Sequence, residues 1–329
     1  MKSFQHASRI MPAAVLIGCS AAAGLAQAAD AAYPTRPVRL IVPFSPGGGA
    51  DATARLIAPK LTEFTGQNWV ADNRPGAGGN LSSEIAVRAN PDGYTVLLAI
   101  DSQLTANPSL YDLSFDVEKD LQPVVLVCQT DQIIVVHPGV AAKTLKDLVA
   151  LAKAKPGTIK FGSGGVGSSN HLAGELVKKV TGADIVHVPY KGAGPSIAGI
   201  LAGEIQMNIS SPASTVGFIT SGKLRAIART GPKRGKVLPD LPTVAESGYP
   251  GFEAVQWYGL VVPGATPSAV VTRIRSAMLK ALQDPDLQAS MERLGFEPGG
   301  MSGPELAARI KKESAKWAAV IKEAGIRLR

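Results

Sequence analysis

The residues best placed to do chemistry lie in two glycine-rich stretches. The first is Pro43-Phe44-Ser45-Pro46-Gly47-Gly48-Gly49-Ala50-Asp51. It follows a β-rich run and precedes a helical pattern, so free backbone N–H groups would gather at the positive end of a helix dipole. An anion bound there needs no lysine. Three consecutive glycines exceed what a simple turn requires, which favours anion contact over a mere connection. Asp51 reads as a first-turn residue, because its carboxylate would repel an anion if it faced the site.

The second stretch, Gly162-Ser163-Gly164-Gly165-Val166-Gly167-Ser168-Ser169-Asn170-His171, has the same context and more donors. Ser163, Ser168, Ser169 and Asn170 offer hydroxyls and an amide. Neutral donors beside a helix dipole suit a carboxylate that must later be released. His171 falls in the first helical turn, where it either faces a cleft or packs inward. Gly162, Gly164 and Gly167 also spell G-x-G-x-x-G. A dinucleotide fold places its acid at the end of the second strand, whereas Asp184 precedes the run Ile185-Val186-His187-Val188.

The candidate ligand contacts are therefore Phe44, Ser45, Pro46, Gly47 and Gly48 in the first turn, and Gly164, Gly165 and Gly167 beside the donors of the second. Ser102 follows the apolar run Tyr94–Ile100, and Asn208 and Ser210 lie at another strand end. Lys191 and Arg74 are candidates to neutralise a distal carboxylate or are surface charges. Catalytic sets are missing. There is no H-E-x-x-H or other metal spacing and no G-x-S-x-G elbow. The expectation is a binder without cofactor or metal. The enzymatic rival is a hydrolase using Ser168 and His171, three residues apart at a helix start.

Two similar units must position these stretches. Val38–Phe44, Asn68–Ala71 and Tyr94–Ile100 read as strands, with helices at Ala52–Phe64 and Leu81–Ala89 between them, a βαβαβ order. Thr158–Phe161, Ile185–Pro189 and Ile205–Ile209 repeat it, with helices at Ser169–Val180 and Ser196–Leu201. The punctuation repeats too: Thr65-Gly66 and Thr181-Gly182 end the first helices, and Gly76-Ala77-Gly78 and Gly192-Ala193-Gly194 follow ten residues later. Two such units need two sheets, hence two domains with a cleft at the carboxyl ends of their strands. The apolar runs 124–128 and 257–262 are expected to cross between them. That gives 33–123 plus 258–329 as one domain and 124–257 as the other. Helices at Val270–Leu282, Asp286–Leu294 and Pro304–Ala324 follow, each with Pro near its start.

The chain has 329 residues, 45% hydrophobic and 18% charged, enough to bury a real core. Lys2 and Arg9, the apolar Ile10–Gly24 and Ala26-Gln27-Ala28 read as a cleaved secretory signal, residues 1–28, which implies the periplasm. Leu16-Ile17-Gly18-Cys19 leaves open lipid anchoring through Cys19. Cleavage removes two of 34 basic residues against 26 acidic ones, leaving a mildly basic chain. The basic residues are scattered, which argues against nucleic acid. Cys128, in an apolar run, reads as a buried thiol.

The chain resembles the tripartite tricarboxylate transporter receptors, also called Bug proteins. The matching stretches include Pro37–Phe44, Pro46-Gly47-Gly48 with Asp51, Asn73–Gly79, Asn90–Tyr94, Gly162-Ser163 with Gly167-Ser168, His171-Leu172-Ala173, His187–Gly192, Gly222–Ala226, Leu238–Thr243 and Pro250–Glu253. The likeness spans about Tyr33 to Gly325. It implies an α/β, two-domain periplasmic binding protein fold of the second type. It also implies a ligand that is a di- or tricarboxylate, an acidic amino acid or an aromatic acid. The ligand's proximal carboxylate would be held by both Gly-rich turns, partly through waters. Partners would be a large and a small membrane subunit, with the receptor itself a monomer. Handing ligand to a sensor protein is the alternative. Gln206 stands where the family commonly has Asp, Arg229 where a small apolar residue is usual, and Pro59 interrupts the first helix.

Overall fold

Runs of β-branched residues bounded by Gly and Pro form two sheets. The computed structural model describes residues 33–326; the expected signal segment and Cys19 lie outside them. The first sheet has β1 (Val38–Val42), β2 (Trp69–Asn73), β3 (Thr95–Ile100), β4 (Leu121–Thr130), β10 (Gln256–Pro263) and β11 (Glu297–Pro298), in the order β11-β4-β10-β3-β1-β2. The second has β5 (Ile133–Val136), β6 (Ile159–Ser163), β7 (Ile185–Pro189), β8 (Met207–Ser210) and β9 (Arg225–Arg229), in the order β7-β6-β8-β5-β9. β1 pairs in parallel with β2 and β3, and β6 in parallel with β7 and β8. The two βαβαβ units thus share one strand order. Central parallel strands are covered on both faces, which is why Val38, Leu40, Ile41 and Val42 are all fully buried.

The helices follow their punctuation. α1 (Gly49–Thr65) starts after Gly48 and stops at Gly66, whose φ of 74° suits glycine. α2 (Asn80–Val87), the short α3 (Asp101–Thr105) and α4 (Val117–Asp120) follow, then α5 (Leu145–Ala154). α6 (Ser169–Thr181) is capped by Ser168 and stops at Gly182, φ 64°. α7 (Ala193–Leu201) and α8 (Pro212–Thr220) complete the second unit. Pro59 does not interrupt α1, contrary to expectation. Proline removes one hydrogen bond, and the buried face of Ala54, Ile57, Ala58 and Leu61 holds the helix through it.

α9 (Ser268–Leu282), α10 (Pro285–Arg293) and α11 (Gly303–Ala324) return to the first sheet; α11 lies against β4 and α3, and α9 against α1 and β4. Each core is a sheet plus the helices packed on it. Phe161, Ile209 and Val177 belong to the second, and Ile41, Trp257 and Leu306 to the first.

The run Val124–Cys128 lies within β4, paired along its length with β10 in the first sheet. The chain passes to the second sheet at Asp131-Gln132 and returns between Arg229 and Gln256. Arg229 is buried there. Its guanidinium grips both oxygens of Asp131 and donates to the Val237 carbonyl, tying the two passages together. Among the described residues no helix is long and apolar enough to cross a membrane.

Candidate functional site

The carboxyl ends of the two sheets face each other, and both Gly-rich turns reach the opposite lobe. The Ser45 amide donates to the Lys191 carbonyl at 3.1 Å. A Cβ on Gly194 would overlap the Pro46 carbonyl, and one on Gly192 would lie 3.0 Å from the Ser45 nitrogen. The second turn repeats this against the first lobe. Tyr111 Oη donates to the Val166 carbonyl at 2.8 Å, and a Cβ on Gly78 would overlap that same carbonyl. Each lobe's first turn therefore packs on the other lobe's Gly-Ala-Gly. Glycine is required at these places because backbone meets backbone.

A small cavity lies inside this seam. Gly48, Gly49 and Ala50 at the start of α1 line it, with Asn170 of α6, Ala193 of α7 and Ser211 before α8. Phe44, Ile100, Gln256 and Tyr258 close it. Four helices of nine residues or more thus aim their positive ends at one space, and no cationic side chain lines it. The amides of Gly48, Gly49 and Ala50 take no acceptor among the described residues. The Gln256 Oε1 and Ser102 Oγ atoms are buried without a partner among the described residues. The cavity leaves about 20 Å³ for water centres, room for about one water. A larger guest requires the lobes to part.

Asp51 is turned away from this space. It accepts from the Gly47 amide at 3.1 Å, Arg55 at 2.9 Å and Asn73 at 3.3 Å. Burial pushes its carboxyl up, but these donors outweigh burial and hold it below the ordinary value.

The second turn behaves differently from the reading that placed its donors on the ligand. Ser163 Oγ shares a 2.6 Å hydrogen bond with His187 Nε2 and accepts from the Gly165 amide at 3.0 Å. Ser168 Oγ donates to the Gly165 carbonyl at 2.7 Å and caps α6. Ser169 Oγ donates to Asp101 Oδ1 at 2.6 Å, across the lobes. Gly164, Gly165 and Gly167 are buried in the turn and do not line the cavity. Asn170 alone of this stretch does. Its amide nitrogen is held by Gln132 Oε1 and the Ile209 carbonyl, each at 2.8 Å, which joins the cavity wall to the interlobe passage.

His171 packs inward. Its Nδ1 accepts from the Gly167 amide at 3.2 Å, and its ring stacks on His187 at 4.0 Å. Burial pushes His171 down to about 4 and His187 to about 3, with Lys178 adding to both and His171 adding to His187. Both rings are neutral at pH 7. Because Ser168 Oγ and His171 Nδ1 both serve backbone groups, they do not form the nucleophile–base pair of the hydrolase rival.

Asn208 and Ser210 satisfy one another and Ser196 within the second lobe instead of facing the cavity. Lys191 is exposed, and Arg74 pairs with Asp72 at 2.9 Å. Of the first turn, Phe44 and Gly48 line the cavity, whereas Pro46 and Gly47 are exposed and Ser45 is half-buried. Gly49, Ala50, Ile100, Ala193, Ser211, Gln256 and Tyr258 were missing from the candidate set. The glycine triplet signalled Gly49; Gln256 and Tyr258 lie over 150 residues away and carried no local signal. Among the described residues no group of three His, Cys, Asp or Glu could hold a metal. Cys128 is buried, its thiol pushed up to about 12 by burial.

Comparison with known proteins follows the same lines. The family described as the tripartite tricarboxylate transporter family receptor matches residues 53–326. Protein BugT of Bordetella pertussis is 35% identical over 312 residues, 94% of this chain and 96% of that protein. The structure of R. palustris Rpa4515 with adipate superposes with a TM-score of 0.87 at 33% identity, covering 90% of this chain and 99% of that one. That of MatC from Rhodopseudomonas palustris with bound malate gives 0.84 at 27% identity, covering 88% and 100%.

Proposed function

This chain belongs to the tripartite tricarboxylate transporter receptor family, and from that premise we propose that its cleft captures a small organic carboxylate and delivers it to the membrane subunits of such a transporter. Its fold is the two-domain periplasmic binding fold of the second type, and the family's role is solute reception. The convergence of four helix starts on one cavity without a cation carries the reading. Oriented dipoles and free amides hold a carboxylate firmly, yet leave no fixed positive charge to oppose release. The bound adipate and malate of the two relatives support a dicarboxylate guest.

The two sheets are the moving lobes, joined by residues 131–132 and 230–255. The guest docks on the start of α1 with the lobes apart. Contacts from Asn170, Ala193 and Ser211, available only when the lobes meet, supply the free energy of closure. The docking partner is the large and small membrane subunit pair, met from the periplasm by a monomeric receptor.

Thermal unfolding against adipate, malate, succinate, glutamate and benzoate tests this. At least one dicarboxylate raises Tm in wild-type protein. Gly49→Ala, whose Cβ would lie 2.7 Å from Ser211 Oγ, removes the rise. A panel in which no acid moves Tm sinks the assignment.

A further inference from the structure

The two βαβαβ units place matching residues across the seam. Gly49 and Ser169 each open the first helix of their βαβαβ unit, and Asp101 and Ser211 each follow the third strand of theirs. Ser211 reaches across to Gly49, at the cavity. Asp101 reaches across to Ser169. At the start of α1 the space is left for a guest. At the start of α6 the protein supplies a carboxylate of its own.

Asp101 is only 2% exposed, and Ser169 Oγ is the side-chain donor it has among the described residues. The Ser169 hydroxyl at the start of α6, Arg309 and the Ser102 amide favour its charge, and burial with Glu313 outweighs them. On its own helix it meets the Ser102 amide. From α11 come Glu313, which repels it, and Arg309, which attracts it less. Those two pair with each other at 2.8 Å, and Glu313 also accepts from Trp257. From β10 comes Tyr258, whose hydroxyl stays neutral because burial raises it well above the ordinary value. The tight turn Asn107–Ser109 and β3 of the first lobe bring no charge. A guest anion in the adjoining cavity, which Ile100 lines, adds a further negative charge beside Asp101.

We propose that Asp101 is a proton-operated latch, so that the lobes close over a carboxylate guest together with one proton. This deepens the receptor reading above and rests on it. With the lobes apart, Asp101 meets water and is ionised. As they close, one carboxylate oxygen takes a proton from solvent, an O–H bond forms, and the neutral acid keeps its hydrogen bond with Ser169. Burial is the chief cause and pushes the closed-state carboxyl from an ordinary 3.8 to about 7, against the Ser169 hydroxyl. The sign follows: the closed form binds the extra proton, so closure is strongest below about pH 3.8, weakens as pH rises to about 7 and is level above that.

Calorimetric titration with adipate and with malate, in two buffers of different ionisation enthalpy, tests the latch. Wild-type protein should take up close to one proton per guest at pH 6 and bind about tenfold more weakly at pH 8. Asp101→Asn should take up none and bind equally at both pH values. Asp101→Ser, which copies the other lobe, serves if the first variant does not fold. Wild-type binding without proton uptake, or a variant that keeps the pH slope, overturns the latch and leaves the receptor reading intact. If neither acid binds wild-type protein at pH 6, the carboxylate reading falls. The latch is then read from small-angle scattering of the unliganded protein. A smaller radius at pH 6 than at pH 8.5 in wild type alone supports it, and equal radii overturn it.

Discussion

Single side chains here do work that their types alone did not reveal. His171 sits in the first turn after a glycine turn, where the sequence leaves open whether it faces a cleft or packs inward. The fold stacks it on His187, as two neutral rings that hold Ser163 and the Gly167 amide. Their folded-state values lie below 6.5, so the unfolded chain takes up protons that the folded one refuses. Stability from these rings is complete above about pH 6.5 and falls as pH drops towards 4 and 3. Between pH 7 and 4.5, His187→Gln should lose about 2 kcal/mol less stability than wild type. Urea unfolding at the two pH values measures it, and equal losses would contradict the neutral pair. The stacking was not legible because His187 lies on β7 and His171 on α6, joined only by the fold.

The elements were the most legible level. Most expected strands and helices formed within a few residues of their patterns, because apolar periodicity and Gly or Pro boundaries act locally. The misses are instructive. α5 is not among the expected helices, although Thr144 and Asp147 form a capping box at its start. Pro59 leaves α1 unbroken because its cost is local while the packing that absorbs it is tertiary. Ser168 shows how an element-level role can pass for a ligand contact. It caps α6 and ties the Gly165 carbonyl, so Ser168→Ala should cost about 1 kcal/mol. The midpoint in urea should fall with an unchanged slope. A variant as stable as wild type with lost ligand affinity would return Ser168 to the ligand.

At the scale of the whole molecule, the proposed closure depends on how closely two backbones can approach. Gly194 is the clearest case. A methyl there meets the Pro46 carbonyl of the other lobe, while within its own lobe it sits in the first turn of α7. Alanine suits that helix. Gly194→Ala should therefore leave unliganded stability nearly unchanged and weaken carboxylate binding on the order of tenfold or more, by lowering the population that can close. Calorimetry beside thermal unfolding separates the two effects. Unaltered affinity would show that the lobes bind their guest without meeting there.

The sequence by itself determined the two-unit α/β plan and its repeated βαβαβ order, because these follow from local pattern and glycine spacing. It also carried the family resemblance. Only the tertiary structure decided which donors remain free. Hydrogen-bond capacity is shared among neighbours in space, and in the second glycine turn those neighbours consume Ser163, Ser168 and Ser169. Likewise, Asp101 is buried among residues far apart in the chain, Ser169, Tyr258, Arg309 and Glu313, and burial of a charge is a property that no stretch of chain possesses alone.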